Sequence, residues 1–210
     1  MVNYKLTYFD VRGLGEVTRQ LFHLGGVAFE DERIPMGSPE WEKLKTKTPF
    51  GQLPVLSVDG FQIPQSAAIN RYLARKFKLA GKTAEEEAWV DAIVDLFKDF
   101  IETGFKPMII ATQQKKSVDE IEKIKKEKTI PARDSFFKNL TGVLEKSKSG
   151  YLVGSSLTFG DLVVTECLVT LENNGLFKKT EFPKLATFQK KVHGSPKLKE
   201  YLASRPNSQM

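Results

Sequence analysis

The sequence contains few of the side chains that form disulfides or bind transition metals. Its 210 residues include a single cysteine, Cys167, and only two histidines, His23 and His193. One thiol cannot form an internal disulfide, so we expect a reducing, cytoplasmic environment. Because thiolates and imidazoles are the main ligands of structural zinc, we also expect no metal site.

Long hydrophobic runs are missing too. No apolar segment reaches the roughly 18 residues that a membrane-spanning helix requires. Residues 2–5 form a mixed polar stretch and lack the apolar core of a signal peptide. We therefore expect a chain that neither enters a membrane nor carries a cleaved leader.

Positive charge is in excess but is not concentrated. The 32 lysines and arginines are interspersed with 26 acidic residues, and even the densest basic stretch, residues 123–128, contains Glu127. This pattern favours solvated helix faces over a nucleic-acid surface, so we expect no nucleic-acid partner. With 40% hydrophobic and 28% charged residues, the composition is that of a globular protein with one large domain or two small ones.

The first part of the chain alternates between strand and helix patterns. Residues 4–9 are rich in aromatic side chains and alternate in character, which is typical of a strand. Apolar residues between 17 and 24 recur at helical spacing and stop at two glycines, and residues 29–34 can form a second strand. Ser38 before Pro39 then signals the start of a short helix.

A hairpin and another helix follow. Two apolar runs, residues 54–58 and 61–63, flank Asp59-Gly60, a strong hairpin signal. Residues 66–77 return to helical spacing. The order predicts a mixed four-stranded sheet with helices packed on it.

Beyond residue 80 the strand signal disappears. Apolar residues recur at helical spacing after each of three candidate capping boxes. We expect the long helical region to be bent or interrupted near Pro131. The three boxes are Thr83 with Glu86, Ser117 with Glu120, and Thr158 with Asp161. The sequence therefore predicts an α/β domain at residues 1–79 and an all-helical domain at residues 81–210.

Three local features in the α/β part carry chemistry. Tyr8 lies near the end of the first strand, just before a loop at residues 10–15. Pro54 directly precedes a strand, where a cis Leu53–Pro54 bond would make a sharp turn. Gln65-Ser66 begins a helix, whose free N–H groups and positive dipole end can hold a carboxylate. Taken singly, Tyr8 could be an ordinary strand aromatic and Gln65-Ser66 an ordinary cap.

Together these residues resemble a known family. The sequence is similar to cytosolic glutathione transferases, most of all to the sigma class. The matching stretches are residues 4–9, 49–56, 58–60, 65–66, 71–73 and 157–162.

The resemblance implies a thioredoxin-like N-terminal domain that binds glutathione and a helical domain that completes the pocket for a hydrophobic electrophile. It implies a homodimer, with glutathione as a co-substrate and no cofactor. It assigns Tyr8 as the catalytic residue and Asp99 as an acid that reaches the partner subunit's glutathione. The other positions matching glutathione-binding residues are Trp41, Lys45, Gly51, Gln52, Leu53, Gln65 and Ser66, and the structural matches are Pro54, Thr158 and Asp161.

Some positions depart from the family pattern. Leu14 stands where many sigma-class members have arginine, and Gln52 where lysine is common; each change removes a positive charge near the ligand. Lys98 stands beside Asp99, where some relatives pair two acids, which argues against a divalent metal there. The second-substrate pocket is expected to use Phe9, Leu14, Phe105 and Met108.

The chemistry is consistent with these roles. The glutathione thiolate is the nucleophile, and a tyrosine hydroxyl that donates a hydrogen bond to sulfur stabilises it. Conjugation to hydrophobic electrophiles in detoxification is the first hypothesis. A glutathione-dependent prostaglandin isomerase or peroxidase is the second. The third is a carrier of haem or other apolar ligands, or a structural relative without activity. Cys167 is expected to be a buried apolar side chain.

Overall fold

The computed structural model describes residues 2–206 and contains one mixed four-stranded sheet. The strands are β1 (Tyr4–Phe9), β2 (Glu30–Ile34), β3 (Val55–Val58) and β4 (Phe61–Pro64), in the spatial order β2-β1-β3-β4. β1 is parallel to β2 and antiparallel to β3, and β3 pairs antiparallel with β4. The predicted sheet is therefore confirmed.

Residues that favour turns mark where these strands and the first helix end. Asp59 and Gly60, between β3 and β4, have φ angles of 50° and 88°. Two consecutive residues in this left-handed region are typical of a tight hairpin turn, and Asp-Gly adopts that conformation readily. Gly26, with φ 65°, ends the first helix in the same way.

Three helices accompany the sheet: α1 (Glu16–Gly25), α2 (Pro39–Lys45) and α3 (Ser66–Lys76). The Ser38 side chain accepts a hydrogen bond from the Trp41 amide at 3.2 Å and caps α2. One face of α1 and one face of α3 are buried, and these faces carry Leu21, Phe22, Ile69 and Leu73. The helices thus cover the sheet and place the N-terminus of α3 beside the end of β1.

From residue 80 to residue 206 the described chain contains helices and no strand. The helices are α4 (Ala84–Phe100), α5 (Lys106–Gln113), α6 (Val118–Ile124), α7 (Ile130–Lys146), α8 (Phe159–Asn173), α9 (Pro183–His193) and α10 (Pro196–Ser204). None of the helices between residues 2 and 206 combines the length and the apolar character that a membrane span requires.

Helix α8 lies at the centre of the helical part, and its N-terminus is held by a buried acid. Asp161 accepts hydrogen bonds from the amides of Leu152 and Thr158, both at 2.8 Å. Complete burial raises the pKa of Asp161 to about 6, because desolvation outweighs these bonds. The predicted Thr158–Asp161 box is present, as is the Ser117–Glu120 box.

The predicted box at Thr83 forms only in part. The Thr83 hydroxyl accepts a hydrogen bond from the Glu86 amide at 3.2 Å. The Glu86 carboxylate, however, accepts from the Lys82 amide at 2.7 Å and not from that of Thr83. The Glu86 carboxylate thus binds the amide of the residue before the N-cap, and the N-cap amide itself is not bound by it.

Two π-helical segments interrupt the helical part. One, Ile101–Phe105, joins α4 to α5. The other, Lys125–Thr129, joins α6 to α7 and ends two residues before Pro131. The predicted interruption near Pro131 is therefore confirmed. The buried Thr129 hydroxyl donates to the Gly104 carbonyl at 2.8 Å, so the two segments are tied to each other.

We expect Thr129→Val to lower the free energy of unfolding by about 1–3 kcal/mol, because it leaves the buried Gly104 carbonyl without its donor. Urea titration followed by circular dichroism measures this change. The control is Thr129→Ser, which keeps the hydroxyl and should retain most of the stability. A loss in Thr129→Ser with none in Thr129→Val would show that the methyl group, and not the hydrogen bond, is what matters.

Candidate functional site

A largely apolar cavity of about 510 Å³ lies between the sheet unit and the helices α4, α5 and α8. The residues on its apolar wall include Leu14, Val17, Val94, Phe97, Ile101, Phe105, Ile109, Val163 and Leu171. Its polar edge is formed by Tyr8 and by the start of α3. An apolar chamber beside a few convergent polar groups is the usual form of a small-molecule site.

Tyr8 occupies the border between these two regions. Its side chain is 7% exposed, and its oxygen accepts a hydrogen bond from the Leu14 amide at 2.9 Å. Burial raises the pKa of the Tyr8 phenol, although the Leu14 amide and the Arg19 charge act in the opposite direction. The phenol therefore keeps its proton at neutral pH and can donate it to an acceptor in the cavity.

The loop that follows β1 fits closely around Tyr8 because it contains glycine. A Cβ atom on Gly15 would lie 2.5 Å from the Tyr8 ring, and one on Gly13 would lie 2.6 Å from the Tyr8 oxygen. Gly13 also has φ +35°, a conformation that other residues rarely adopt. Neither glycine was predicted as a site residue, although their position in the loop next to Tyr8 was the available signal.

The N-terminus of α3 faces the same cavity through Gln65 and Ser66. Gln65 has φ 72° and ψ 116°, a strained backbone for a residue with a side chain. Gln65 makes no capping bond to the first turn, and no acidic residue is present in that turn of the described chain. The helix end therefore presents amide donors and a positive dipole end to a carboxylate.

The loop before β3 lies next to Gln65. The Leu53–Pro54 peptide bond is cis, as the sequence analysis expects. The Gln65 side-chain amide donates to the Gln52 oxygen at 3.3 Å. On the other side, the Lys45 Cγ atom is 3.8 Å from the position of a Cβ on Gly51. The fold thus brings Lys45 and residues 51–53 into the neighbourhood of the α3 N-terminus.

Phe9 is not among the residues that line this cavity, and its predicted role in the second-substrate pocket stays a prediction. Its ring packs edge-to-face against Trp41 of α2, with centroids 5.3 Å apart. Trp41 is half-buried by this contact. The Phe9 ring also lies 5.6 Å from the Tyr8 ring, measured between centroids.

Met108 is not among the residues that line this cavity, whereas Phe105 and Ile109 are. Met108 and Phe105 are each 7% exposed and belong to the same hydrophobic core. The role of Met108 in a second-substrate pocket stays a prediction. Leu14 and Phe105 do line the cavity.

Asp99 lies outside this cavity. It is exposed on α4, and its backbone carbonyl accepts a hydrogen bond from Thr103 at 2.6 Å. The neighbouring Lys98 lines the cavity. A single chain therefore does not bring Asp99 to the residues around Tyr8.

Cys167 lines the inner wall of the cavity but is almost fully buried. Burial raises the pKa of its thiol far above the ordinary value, so the thiol is neutral and acts as a small apolar side chain. Between residues 2 and 206, no group of three or more His, Cys, Asp or Glu side chains is arranged to hold a metal ion.

The close fit around Tyr8 leads to a stability prediction. Gly15→Ala should destabilise the fold by about 1–3 kcal/mol, because the new methyl group overpacks against the Tyr8 ring. The matched control is Gly142→Ala in α7, where an added Cβ meets no heavy atom within 4 Å. Since alanine favours helix, that control should gain about 0.5–1 kcal/mol. Thermal unfolding of the two variants side by side measures both shifts; a Gly15→Ala protein as stable as the control would contradict the packing argument.

Comparison with known proteins agrees with this geometry. Residues 4–75 match the family model of the glutathione S-transferase N-terminal domain, and residues 98–205 match that of the C-terminal domain. Glutathione S-transferase 3 of Caenorhabditis elegans is 49% identical over 208 residues, which cover 99% of each chain.

Solved structures show the same relation. A Nu-class glutathione S-transferase from Haemonchus contortus is 46% identical, with a TM-score of 0.88 and complete coverage of both chains. A glutathione S-transferase from Necator americanus, described as monomeric, is 44% identical, with a TM-score of 0.90 over 99% of this chain and 100% of its own. On its sequence, fold and site, the chain belongs to the glutathione S-transferase family.

Proposed function

We propose that this protein catalyses the conjugation of glutathione to hydrophobic electrophiles, with Tyr8 as the residue that activates the thiol. The observation that carries the proposal is the position of the protonated Tyr8 phenol, between the amide donors of α3 and a large apolar cavity. The named relatives are glutathione S-transferases, which supports the same activity.

Tyr8 has the properties that thiol activation requires. An ordinary thiol has a pKa of about 8.5, so only a small fraction is ionised at neutral pH. Lowering that pKa by about two units requires about 2.7 kcal/mol. One hydrogen bond to a charged acceptor contributes about 1.5–3 kcal/mol, so a single phenol donor can supply most of the shift. The Leu14 amide, which donates to the Tyr8 oxygen, directs the phenol proton elsewhere.

The other residues that we propose bind glutathione each suit a different part of the tripeptide. The α3 N-terminus with Gln65 and Ser66 suits the γ-glutamyl carboxylate. Lys45 supplies a positive charge for the glycine carboxylate, with Trp41 beside it. The backbone of Leu53, at the edge of β3, suits the cysteinyl amide in the manner of an added strand.

The electrophile is expected to be apolar. The walls contributed by α4, α5 and α8 are largely apolar, although Lys98, Lys106 and Glu166 also line them. They would bind an electrophile mainly by burial of apolar surface. Detoxification of varied apolar compounds fits such a chamber. The isomerase, peroxidase and carrier hypotheses are not favoured by the relatives compared above.

The subfamily is a separate question. The sigma-class assignment rests on the sequence motifs and stays a prediction. The similarity to a Nu-class structure from a nematode supports a nematode Nu-class-like assignment instead.

We also propose that the active form is a homodimer. Phe61 of β4 and Trp89 of α4 are 72% and 59% exposed in the single chain, which is unusual for large apolar side chains. Asp99 lies exposed further along the same helix as Trp89. A two-fold contact through these elements would carry Asp99 toward the partner's cavity. A cytoplasmic location and the lack of a cofactor likewise stay predictions.

Replacing Tyr8 by phenylalanine tests the catalytic assignment. We expect Tyr8→Phe to reduce the rate of conjugation of an aryl halide by about 10- to 1000-fold, the scale for removing one donor to developing charge. Glutathione affinity should change little. The matched control is Tyr4→Phe, since Tyr4 lies on the same strand and is 6% exposed. If both variants keep full activity between pH 6 and 8, Tyr8 is not the activating donor.

The shared-site proposal is tested by Asp99→Asn. Loss of the charge should weaken glutathione binding while leaving the dimer intact, because the amide keeps the shape of the side chain. Light scattering and a glutathione titration on one sample measure both properties, with Asp95→Asn, one turn earlier on α4, as the control. A monomer at micromolar concentration would contradict the dimer and the shared site together. A dimer with unaltered affinity would contradict only the role of Asp99.

A further inference from the structure

Four charged side chains form a buried chain of ion pairs at the base of the cavity. The Arg12 guanidinium contacts the Glu166 carboxylate at 3.0 Å, with the two side chains 5% and 7% exposed. Arg205 contacts the other oxygen of Glu166 at 2.8 Å and also contacts Glu16 at 2.8 Å. Glu16 also pairs with the buried Arg19 at 3.3 Å. Buried charges are costly unless they are paired, so the loss of Arg205 would leave each carboxylate with one cation fewer.

The two ends of this chain enclose the loop that contacts Tyr8. Arg12 immediately precedes the short 3₁₀ turn Gly13–Gly15, and Glu16 immediately follows it. Glu166 belongs to α8, and Arg205 follows the end of α10. The loop is therefore held on both sides by residues that lie at least 150 positions further along the sequence.

Arg205 connects the two sides with a single nitrogen. Its Nη1 atom donates to Glu16 Oε1 and to Glu166 Oε1. Gln20 supports the Glu166 oxygen at 2.7 Å, and the Tyr201 hydroxyl supports the Glu16 oxygen at 3.0 Å. The carboxylates are thus fixed in place by α1 and α10, and Arg205 is the cation that bridges them.

The loop, in turn, sets the position of the Tyr8 hydroxyl. Its Leu14 amide donates to the Tyr8 oxygen at 2.9 Å, and its two glycines lie against the Tyr8 ring. A shift of this loop would rotate the donor away from the oxygen or press the backbone onto the ring. Arg205 itself is not among the residues that line the cavity.

We infer that Arg205 is a positioning residue for Tyr8, which acts on thiol activation through Glu166, Arg12, Glu16 and the loop between them. The inference rests on the proposed function of Tyr8. It adds a residue near the end of the described chain that influences the position of the Tyr8 hydroxyl. It assigns to Arg205 an effect on the reactivity of bound glutathione and none on the contacts that bind the tripeptide.

The primary test compares Arg205→Met with Arg205→Lys. The methionine keeps the apolar stem and removes the charge, so we expect kcat with an aryl halide to fall by about 2- to 30-fold, the range for residues in a coupled network. The glutathione KM should stay close to that of the parent. Because one nitrogen makes both contacts, a lysine ammonium can replace it, and Arg205→Lys should recover most of the rate.

The spectroscopic signature and the control variant separate positioning from stability. The ultraviolet difference spectrum of bound glutathione should show a smaller thiolate fraction in Arg205→Met at neutral pH. Lys197→Met provides the control, since Lys197 lies on α10 and contacts only the Leu24 carbonyl among the bonds described, at 3.3 Å. It should leave both kcat and the thiolate spectrum unchanged. If Arg205→Met does not fold, Arg205→Gln takes its place.

A double-mutant cycle with Tyr8→Phe gives the sharpest result. If Arg205 acts through Tyr8, adding Arg205→Met to Tyr8→Phe should produce little further loss of kcat, so that the two effects are not additive. Additive losses, or an Arg205→Met protein with unchanged kcat and thiolate spectrum, would overturn the inference. An inactive parent protein, or an active Tyr8→Phe variant, would instead overturn the proposed function.

Discussion

The hydrogen bond between the Leu14 amide and the Tyr8 oxygen is the contact on which the site depends. It fixes the direction of the phenol and requires the loop to approach the ring so closely that only glycine fits at positions 13 and 15. That approach buries Tyr8, and burial keeps its phenol protonated. Position, packing and protonation of one side chain therefore follow from the same local geometry.

Two opposite environments meet at this side chain. The α3 N-terminus and the loop at residues 51–53 offer amide donors to a charged ligand, whereas α4, α5 and α8 offer an apolar wall. The wall depends on helix α8, whose N-terminus is organised by the buried Asp161. Glu166 on the same helix pairs with Arg12 beside the loop, so one helix supports both the chamber and the loop.

Local signals in the sequence were sufficient for most elements. Capping residues, the Asp59-Gly60 turn and helical periodicity gave the strands and helices, since each signal acts within a few residues. The capping box at Thr83 is the exception, because its acid had a choice of partners. Glu86 bonds the Lys82 amide and not the Thr83 amide.

Turns, caps and periodicity are encoded by neighbouring residues, so the order of elements and the mixed sheet could be predicted without the structure. The residues around Tyr8, Pro54 and Ser66 became a candidate site through the family resemblance. Which of these side chains face one cavity, and which charges pair across the fold, became visible in the packed structure. Arg12 meets Glu166, and Glu16 meets Arg205, only after residues more than 150 positions apart are packed together. No short-range pattern encodes such pairs, since their energy depends on burial that the whole fold creates.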